Sequence, residues 1–283
     1  MCIRDSGTSI AEGLSSFTTR TNGTPDGGVV DIGYHYTRGL EIDKILYVQT
    51  DGNDGNTGLA PGSATALRSI TKAIQLSGKR TLIYVAAGSY TNGVETFPLM
   101  ISRKTVKIKG EGPGLTIIDA TNANTRVMSI LSAWGDNSIE GVKIRGGKLS
   151  AGDGGGLYVK DSILTLRNVE VSENRGIRNG GGVYAEYSRG IIYNACFKKN
   201  TAYIGSDGWS WGGGLLLNYG AWSIYNSYVS SNQASALSAL GGGIYIVPGV
   251  HDLRNLVIAD NKVMGSYTVQ GLSLIHISEP TDS

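Results

Sequence analysis

The stretch Gly180-Gly181-Gly182-Val183-Tyr184-Ala185-Glu186, followed by Asn194 and Asn200, decides the fold. Its frame occurs three more times. Gly-Gly-Gly stands at 154–156, 212–214 and 241–243 as well. Fourteen positions after each first Gly lies an Asn (Asn168, Asn194, Asn226, Asn255), and six further on lies a second (Asn174, Asn200, Asn232, Asn261). Both spacings hold in all four copies, whereas the joining segments 175–179, 201–211 and 233–240 differ in length. A rigid frame therefore alternates with one elastic corner, the mark of a repeat architecture.

Inside the frame the period is two. Leu157, Val183, Leu215 and Ile244 lead each copy, and Val159, Ala185, Leu217 and Ile246 follow two residues later. Leu166, Ile192, Ile224 and Leu253 come next, then Val171, Phe197, Val229 and Ile258. Alternation by two means short strands with one buried face. A single rung of this kind cannot bury its apolar face, but stacked on copies of itself it makes a continuous core. A fixed Asn between strands suits a bend in the left-handed backbone region, and stacked Asn side chains can hydrogen-bond along the pile. The expected architecture is an all-β parallel solenoid. Earlier in the chain, 139–147 matches the Asn-to-Asn segment with Gly141 and Gly147 in place of Asn, and 105–110 matches once more. Ala66 to Leu76 reads as a short amphipathic helix with Leu67, Ile70 and Ile74 on one face, placed to cap the first rung.

Composition agrees. The 283 residues include 42 Gly and only 6 Pro. Glycine is about twice its usual ~7% share, yet no Gly-X-Y period runs through the chain, which excludes collagen. With 40% hydrophobic and 17% charged residues, bulk disorder is excluded. No apolar run approaches the ~18 residues of a membrane span.

The two ends stand apart. Met1–Ser6 can be encoded by a stretch whose reverse complement, read in frame, gives Leu-Ser-Leu-Ile-His, the residues 272–276. Two ends of one protein have no reason to be reverse complements, and both match a translated sequencing adapter, with Asp282 and Ser283 departing from it. Residues 1–6 and 272–283 are therefore set aside as artefact, and the remainder is expected to be a fragment of a longer frame. Without Arg4, Lys+Arg falls from 25 to 24; without Asp5, Glu279 and Asp282, Asp+Glu falls from 23 to 20, leaving +4. No basic stripe accompanies that charge, so a nucleic-acid partner is not expected. Cys2 goes too, leaving Cys196 alone, so no intramolecular disulfide is expected.

A family resemblance enters through Leu46-Tyr47-Val48, Asp51-Gly52-Asn53-Asp54-Gly55-Asn56-Thr57-Gly58, Ile70-Thr71-Lys72-Ala73-Ile74 and Ile83-Tyr84-Val85-Ala86-Ala87-Gly88-Ser89-Tyr90. Val106–Gly112 and Thr116–Asp119 continue it. Together they resemble the start of the pectin-lyase-like right-handed parallel β-helix family, and the Gly-Gly-Gly rungs resemble the later coils of bacterial secreted or surface members. The segment Gly23 to Tyr36 resembles the closing part of such a helix. The organisation implied is the tail of a preceding β-helix unit over 7–37, a linker over 38–44, and a right-handed parallel β-helix over 45–271, truncated at its C-terminal end. The resemblance also implies an extracellular or cell-surface setting.

Offsets within the frame nominate the site. Tyr158, Tyr184, Leu216 and Tyr245 are out of phase with the buried positions and are expected to form an outward ladder; Lys160, Glu186, Asn218 and Val247 lie two residues on. A second outward row is Arg167, Tyr193, Tyr225, Arg254, where cation–π contact is feasible. The elastic corner carries Tyr203, Asp207, Trp209 and Trp211 in its longest copy, and Arg175 and Arg178 in its neighbour. Aromatic faces offer sugars apolar area with a polar handle, and loops on a rigid scaffold are where binding tends to sit. The expected substrate-binding set is Tyr158, Tyr184, Tyr245, Tyr203, Trp209, Trp211, Arg175 and Arg178, the arginines pairing with uronate carboxylates. The competing reading is structural: cross-strand stacking of the tyrosines, and tryptophans folded back to close the loop.

Catalysis has thinner support. Glycoside cleavage needs paired carboxylates at a set separation, and lyases of the resembled family use acids around calcium with a basic residue. The candidates are Glu186, Lys160, Asp207 and Asp153, with Ca²⁺ the one cofactor to consider. Asp51–Asn56 lacks the pattern of an EF-hand and reads as an Asx-rich turn. Cys196 and His251 have no partners at catalytic spacing. The leading expectation is a non-catalytic, monomeric polysaccharide-binding or adhesion module contacting a cell-surface glycan. A lyase or glycoside hydrolase acting on an acidic, pectin-like glycan is the alternative, and a structural stalk is the third.

Overall fold

Each constant position of the repeat has its own structural job in the computed structural model, which describes residues 42–204 and 208–265 and the backbone of four short strands, Ile3–Arg4, Asp31–Ile32, Thr268–Gln270 and His276–Ile277. The chain divides into two compact units, Met1–Asp43 and Lys44–Ser283. In the first, Ile3–Arg4 pairs antiparallel with Asp31–Ile32; the segment 7–37 otherwise lies outside the described residues. Of 272–283 the described part is the backbone of His276–Ile277, paired with Tyr245 and Ile246.

The second unit is a right-handed parallel β-helix with three main stacks of strands. The first stack runs Lys44–Val48, Thr81–Val85, Val106–Lys109, Asn137–Glu140, Ile163–Arg167, and then parts of the long strands Val183–Tyr193, Leu215–Ser230 and Val250–Ala259. The second runs Gly88–Thr91, Thr116–Asp119, Lys143–Arg145, Glu170–Ser172, Cys196–Lys198 and on into the same long strands. The third runs Leu99–Ser102, Met128–Leu131, Leu157–Lys160, Val183–Glu186, Leu215–Asn218 and Ile244–Ile246. A fourth, narrow stack holds Arg175–Gly176, Thr201–Tyr203, Gln233–Ser235 and Lys262–Met264. All these pairings are parallel, as a chain that climbs one rung per turn requires. The inward positions expected from the period of two are buried except Leu253 and Ile258 of the last coil, which are only partly so: Leu157, Val159, Leu166 and Val171 are all 0% exposed, and Phe197 fills the same role one coil on. Where the first stack needs room for Trp222, the rung before it supplies Gly190; a Cβ there would lie 2.9 Å from the indole.

The first Asn of each pair turns the corner between the first and second stacks. Asn168, Asn194, Asn226 and Asn255 all have φ between +50° and +53°, the region Asn tolerates best after Gly. The second Asn faces inward. Asn174, Asn200, Asn232 and Asn261 are at most 4% exposed. Asn174 Nδ2 donates to Asn200 Oδ1 (3.1 Å), Asn200 Nδ2 to Asn232 Oδ1 (3.0 Å), and Asn232 Nδ2 to Asn261 Oδ1 (3.0 Å). Each Nδ2 also donates to a carbonyl, such as that of Val171 for Asn200. These buried amides are thus partnered through the pile, as burial demands.

The glycines fit round this ladder. The first of each triplet is left-handed, with φ from +57° to +67°. A Cβ on the second would run into the backbone after the inner Asn, as Gly181 would into Thr201. A Cβ on the third would press the Asn itself, Gly182 lying so that it would meet Asn200 at 2.9 Å. The constant distance between triplet and second Asn is therefore a packing constraint across one coil.

The capping helix α1 spans Ile70–Leu76, shorter than the expected 66–76. Leu67 is fully buried but forms a parallel bridge with Val48, and Asp54 accepts from Arg68 N (2.9 Å), Ser69 N (2.8 Å) and Ser69 Oγ (2.7 Å). Those bonds hold 66–69 out of the helix, and Ser69 caps it through Lys72 N (3.0 Å). Ile70, Ala73 and Ile74 pack inward against the first rung. Asn53 Oδ1 accepts from Gly55 N (2.8 Å), so the Asx-rich turn spends its side chains on the backbone. Among the described residues no helix is long and apolar enough to cross a membrane.

Candidate functional site

The outward ladder of the third stack has the expected register: Ser129, Tyr158, Tyr184, Leu216 and Tyr245 stand above one another. It is not open along its length. Tyr184 is 7% exposed and Leu216 1%. The left-handed first Gly of each triplet turns the elastic corner back toward this row, so that a Cβ on Gly212 would sit 3.0 Å from Leu216 Cβ. The strand Trp209–Trp211 forms a further layer with Ser238–Leu240. The Trp211 ring stacks on Tyr245 at 5.7 Å and 24°. Trp209 meets Trp211 edge-on at 6.4 Å and 62° and remains 52% exposed. The two readings of the tryptophans thus divide between them: Trp211 closes the corner over the ladder, and Trp209 faces solvent.

Beside them lies a groove of about 400 Å³, lined by Arg178, Asn179, Gly208, Trp209 and Trp211. Arg175 is not in its lining. Its guanidinium lies 4.5 Å over the Tyr203 ring on the fourth stack, so these two are engaged with each other. Asp207 lies outside the described residues.

Next to the covered row is a polar cluster. Tyr158 and Tyr184 stack at 5.7 Å and 11°, and both hydroxyls donate to Glu186, Tyr184 at 3.2 Å. Lys160 Nζ pairs with Glu186 at 3.0 Å, and Asn218 Nδ2 donates to the Tyr184 hydroxyl at 3.0 Å. Burial pushes the Glu186 carboxyl up, but the hydrogen bonds from Tyr158 and Lys160 outweigh it and hold the group below the usual range. Burial, with Glu186 beside it, pushes the Tyr158 phenol up. Arg126, a residue outside the repeat frame, places its guanidinium 4.6 Å over the Tyr158 ring. No spacing signal pointed to it, because the coil that carries it lacks the triplet. Asp153 accepts from Asn179 N (3.0 Å); burial raises its carboxyl, against the pull of Asn179 and of Arg126 and Arg178 nearby. Tyr184 feels the charge of both Glu186 and Asp153. Among the described residues there is no group of three His, Cys, Asp or Glu that could hold a metal ion.

The second outward row is longer than its four nominated members. Tyr47, Tyr84, Lys109, Glu140, Arg167, Tyr193, Tyr225 and Arg254 follow one another along the first stack. Arg167 sits 5.4 Å over Tyr193 and Arg254 5.9 Å over Tyr225, the cation–π contacts expected. Cys196 is half-buried, and burial raises its thiol, with Lys198 and Glu170 close by. Burial lowers the His251 imidazole.

Inward aliphatic strands, positive-φ corners and an internal amide ladder define the class: a right-handed parallel β-helix. The family match is to the one described as "Protein of unknown function (DUF1565)", over residues 50–201, and the chain belongs to that family. No curated protein matches the chain. Among solved structures, a rhamnogalacturonan lyase is similar in fold, with 12% identity, a TM-score of 0.53, and coverage of 80% of this chain and 60% of the lyase. A pectin methylesterase from carrot matches with 13% identity and a TM-score of 0.41, covering 75% of this chain and 64% of the esterase. The pectin methylesterase PemA from Erwinia chrysanthemi gives 13% identity and a TM-score of 0.39, covering 75% and 81%. The chain thus spans less than two thirds of the carrot esterase and of the lyase.

Proposed function

We propose that this chain is a polysaccharide-binding β-helix of the extracellular or cell-surface kind, acting as a monomer, with its glycan contact in the groove between Arg178, Trp209 and Trp211. The observation that supports this reading is the pairing of an exposed Trp209 with a Trp211 anchored on Tyr245. An indole held in place offers rigid apolar area to the C–H face of a sugar at little cost in side-chain entropy. Arg178 adds a forked donor suited to a uronate carboxylate. The lyase among the similar structures makes pectic chains the first ligands to test. In affinity electrophoresis the protein is expected to be retarded by polygalacturonate or rhamnogalacturonan. Trp209→Ala is expected to weaken retention about tenfold, the order of one lost aromatic contact, without lowering the Tm. Absence of retardation on both polymers would overturn the reading.

One observation favours a second reading, catalysis: Asp153 is pushed up and Glu186 down, and both act on Tyr184. Opposed shifts are what acid–base pairs require. Against it, Glu186 already accepts from two phenols and an ammonium. Release of new chain ends from polygalacturonate, abolished by Glu186→Gln, would select the enzyme; retention with no release selects the binder.

A further inference from the structure

The corner that follows the third stack carries an unusual pair. Tyr187 and Tyr219 have φ of +48° and +55°. At the same corner in the two preceding coils stand Ser132 (φ +49°) and Asp161 (φ +47°). The corner thus demands the left-handed region, and small polar residues meet that demand at least cost. Among the described non-glycine residues with positive φ, Tyr187 and Tyr219 are the only aromatic ones. Nor are they sheltered in return: they are 53% and 47% exposed. Their rings lie 5.5 Å apart at 6°, nearly parallel. Each ring stacks on the other, and about half of each residue stays open to solvent. Backbone strain retained without burial points to a use outside the fold.

Position supplies the use. The strand Leu215–Asn218 runs from the Gly-Gly-Gly corner, which Trp211 enters, to Tyr219. The tyrosine pair and the tryptophan groove therefore sit at opposite ends of one strand run, with Lys160 and Glu186 between them, and Lys160 within electrostatic reach of Tyr187. We propose that Tyr187 and Tyr219 form a second sugar-stacking platform, so that an acidic glycan chain lies along the strand direction, from the groove at Trp209 across the third stack to the tyrosines. The proposal rests on the glycan-binding reading of the groove and adds the path of the chain.

The test compares short and long galacturonan oligosaccharides on wild type, Trp209→Ala and the double variant Tyr187→Asn/Tyr219→Asn. A chain spanning both ends should feel the tyrosines, and a short one seated in the groove should not. The double variant is expected to bind long chains roughly three- to tenfold more weakly and short chains as wild type does. Its Tm is expected to hold or rise, since Asn is at home in this backbone region, as at Asn194 and Asn226. The single variant Tyr219→Asn should show the same signs at smaller size. Unchanged binding of long chains by the double variant, with Trp209→Ala impaired, would overturn the platform alone. Impairment in the double variant with Trp209→Ala unaffected would overturn the groove and keep the platform. A Tm several degrees lower would show the pair to be a structural clasp and overturn the platform, and no binding by wild type would overturn both.

Discussion

The coils before and after Gly154 reach the same cross-section by different means. In the later coils the corners are held by repetition: a left-handed Asn outside, an amide ladder inside, and glycines shaped to both. In the earlier coils single, unrepeated contacts serve. Glu95, buried at 4% exposure, accepts from Ile70 N (2.7 Å), Thr71 N (2.8 Å) and Thr71 Oγ1 (2.6 Å) at the start of α1. Arg145 grips Asp119 through two nitrogens at 2.8 and 2.9 Å. Gly141 and Gly147 occupy the two Asn places, and the ladder ends where Asn174 Oδ1 meets Gly147 N (2.9 Å). A repeated device frees the segments between its copies to vary, and there the tryptophan strand has been inserted. Individually tied coils leave less room for such an insertion.

The sharpest way to break this contrast is within the ladder. Asn200→Leu removes both donated bonds and strips Asn174 N and Nδ2 of their acceptor. With several buried polar groups orphaned at once, a loss of about 3–5 kcal/mol is expected, read as a large drop in the thermal midpoint with the later coils opening first in hydrogen exchange. Glu95→Ala should cost about 2 kcal/mol, the scale of a lost helix cap plus its buried bonds, with exchange accelerated in 70–76 and the later coils untouched.

Acid separates the later coils from the cap around α1 more gently. In the later coils burial pushes Glu170 and Glu186 up, but Lys198 and Lys143, and Tyr158 and Lys160, outweigh it and hold both below the ordinary range. Groups with lowered folded values contribute stability that is full above their unfolded pKa and is lost as pH falls through the folded one. Glu95 is raised by burial despite its bonds from Thr71 and Ile70; its contribution has the opposite sign, full below its unfolded pKa and lost as pH rises through the folded value. Lowering the pH from 6 to 3 should therefore speed exchange in the later coils more than around α1. Equal acceleration in both would show that the charges do not divide the molecule this way.

What the sequence disclosed follows the same line. The frame was legible because Asn200 and Gly182 must touch across a coil, and a contact of that kind fixes a spacing. The inward positions were legible because strand period and burial coincide. The covering of Tyr184 and Leu216 was not, since it depends on where an unrepeated corner comes to rest. Arg126 was invisible for a related reason: its coil shares no frame with the others. Tyr187 and Tyr219 did leave a trace, both lying seven positions after the first Gly of their triplets, but the offset carries meaning only once the left-handed corner is seen.

The inner amide ladder also has a direction. From Asn174 to Asn232 every side-chain amide donates to the Asn of the next coil, and the rungs so joined are 26, 32 and 29 residues apart in sequence. The bond lengths stay between 3.0 and 3.1 Å across these unequal intervals. A ladder indifferent to contour length is a splice point: a whole coil, or a longer corner, can be added or removed between two asparagines while the register of every other rung is kept. Such a molecule can be lengthened by duplication and given new surface by insertion, and the two changes need not be paid for together.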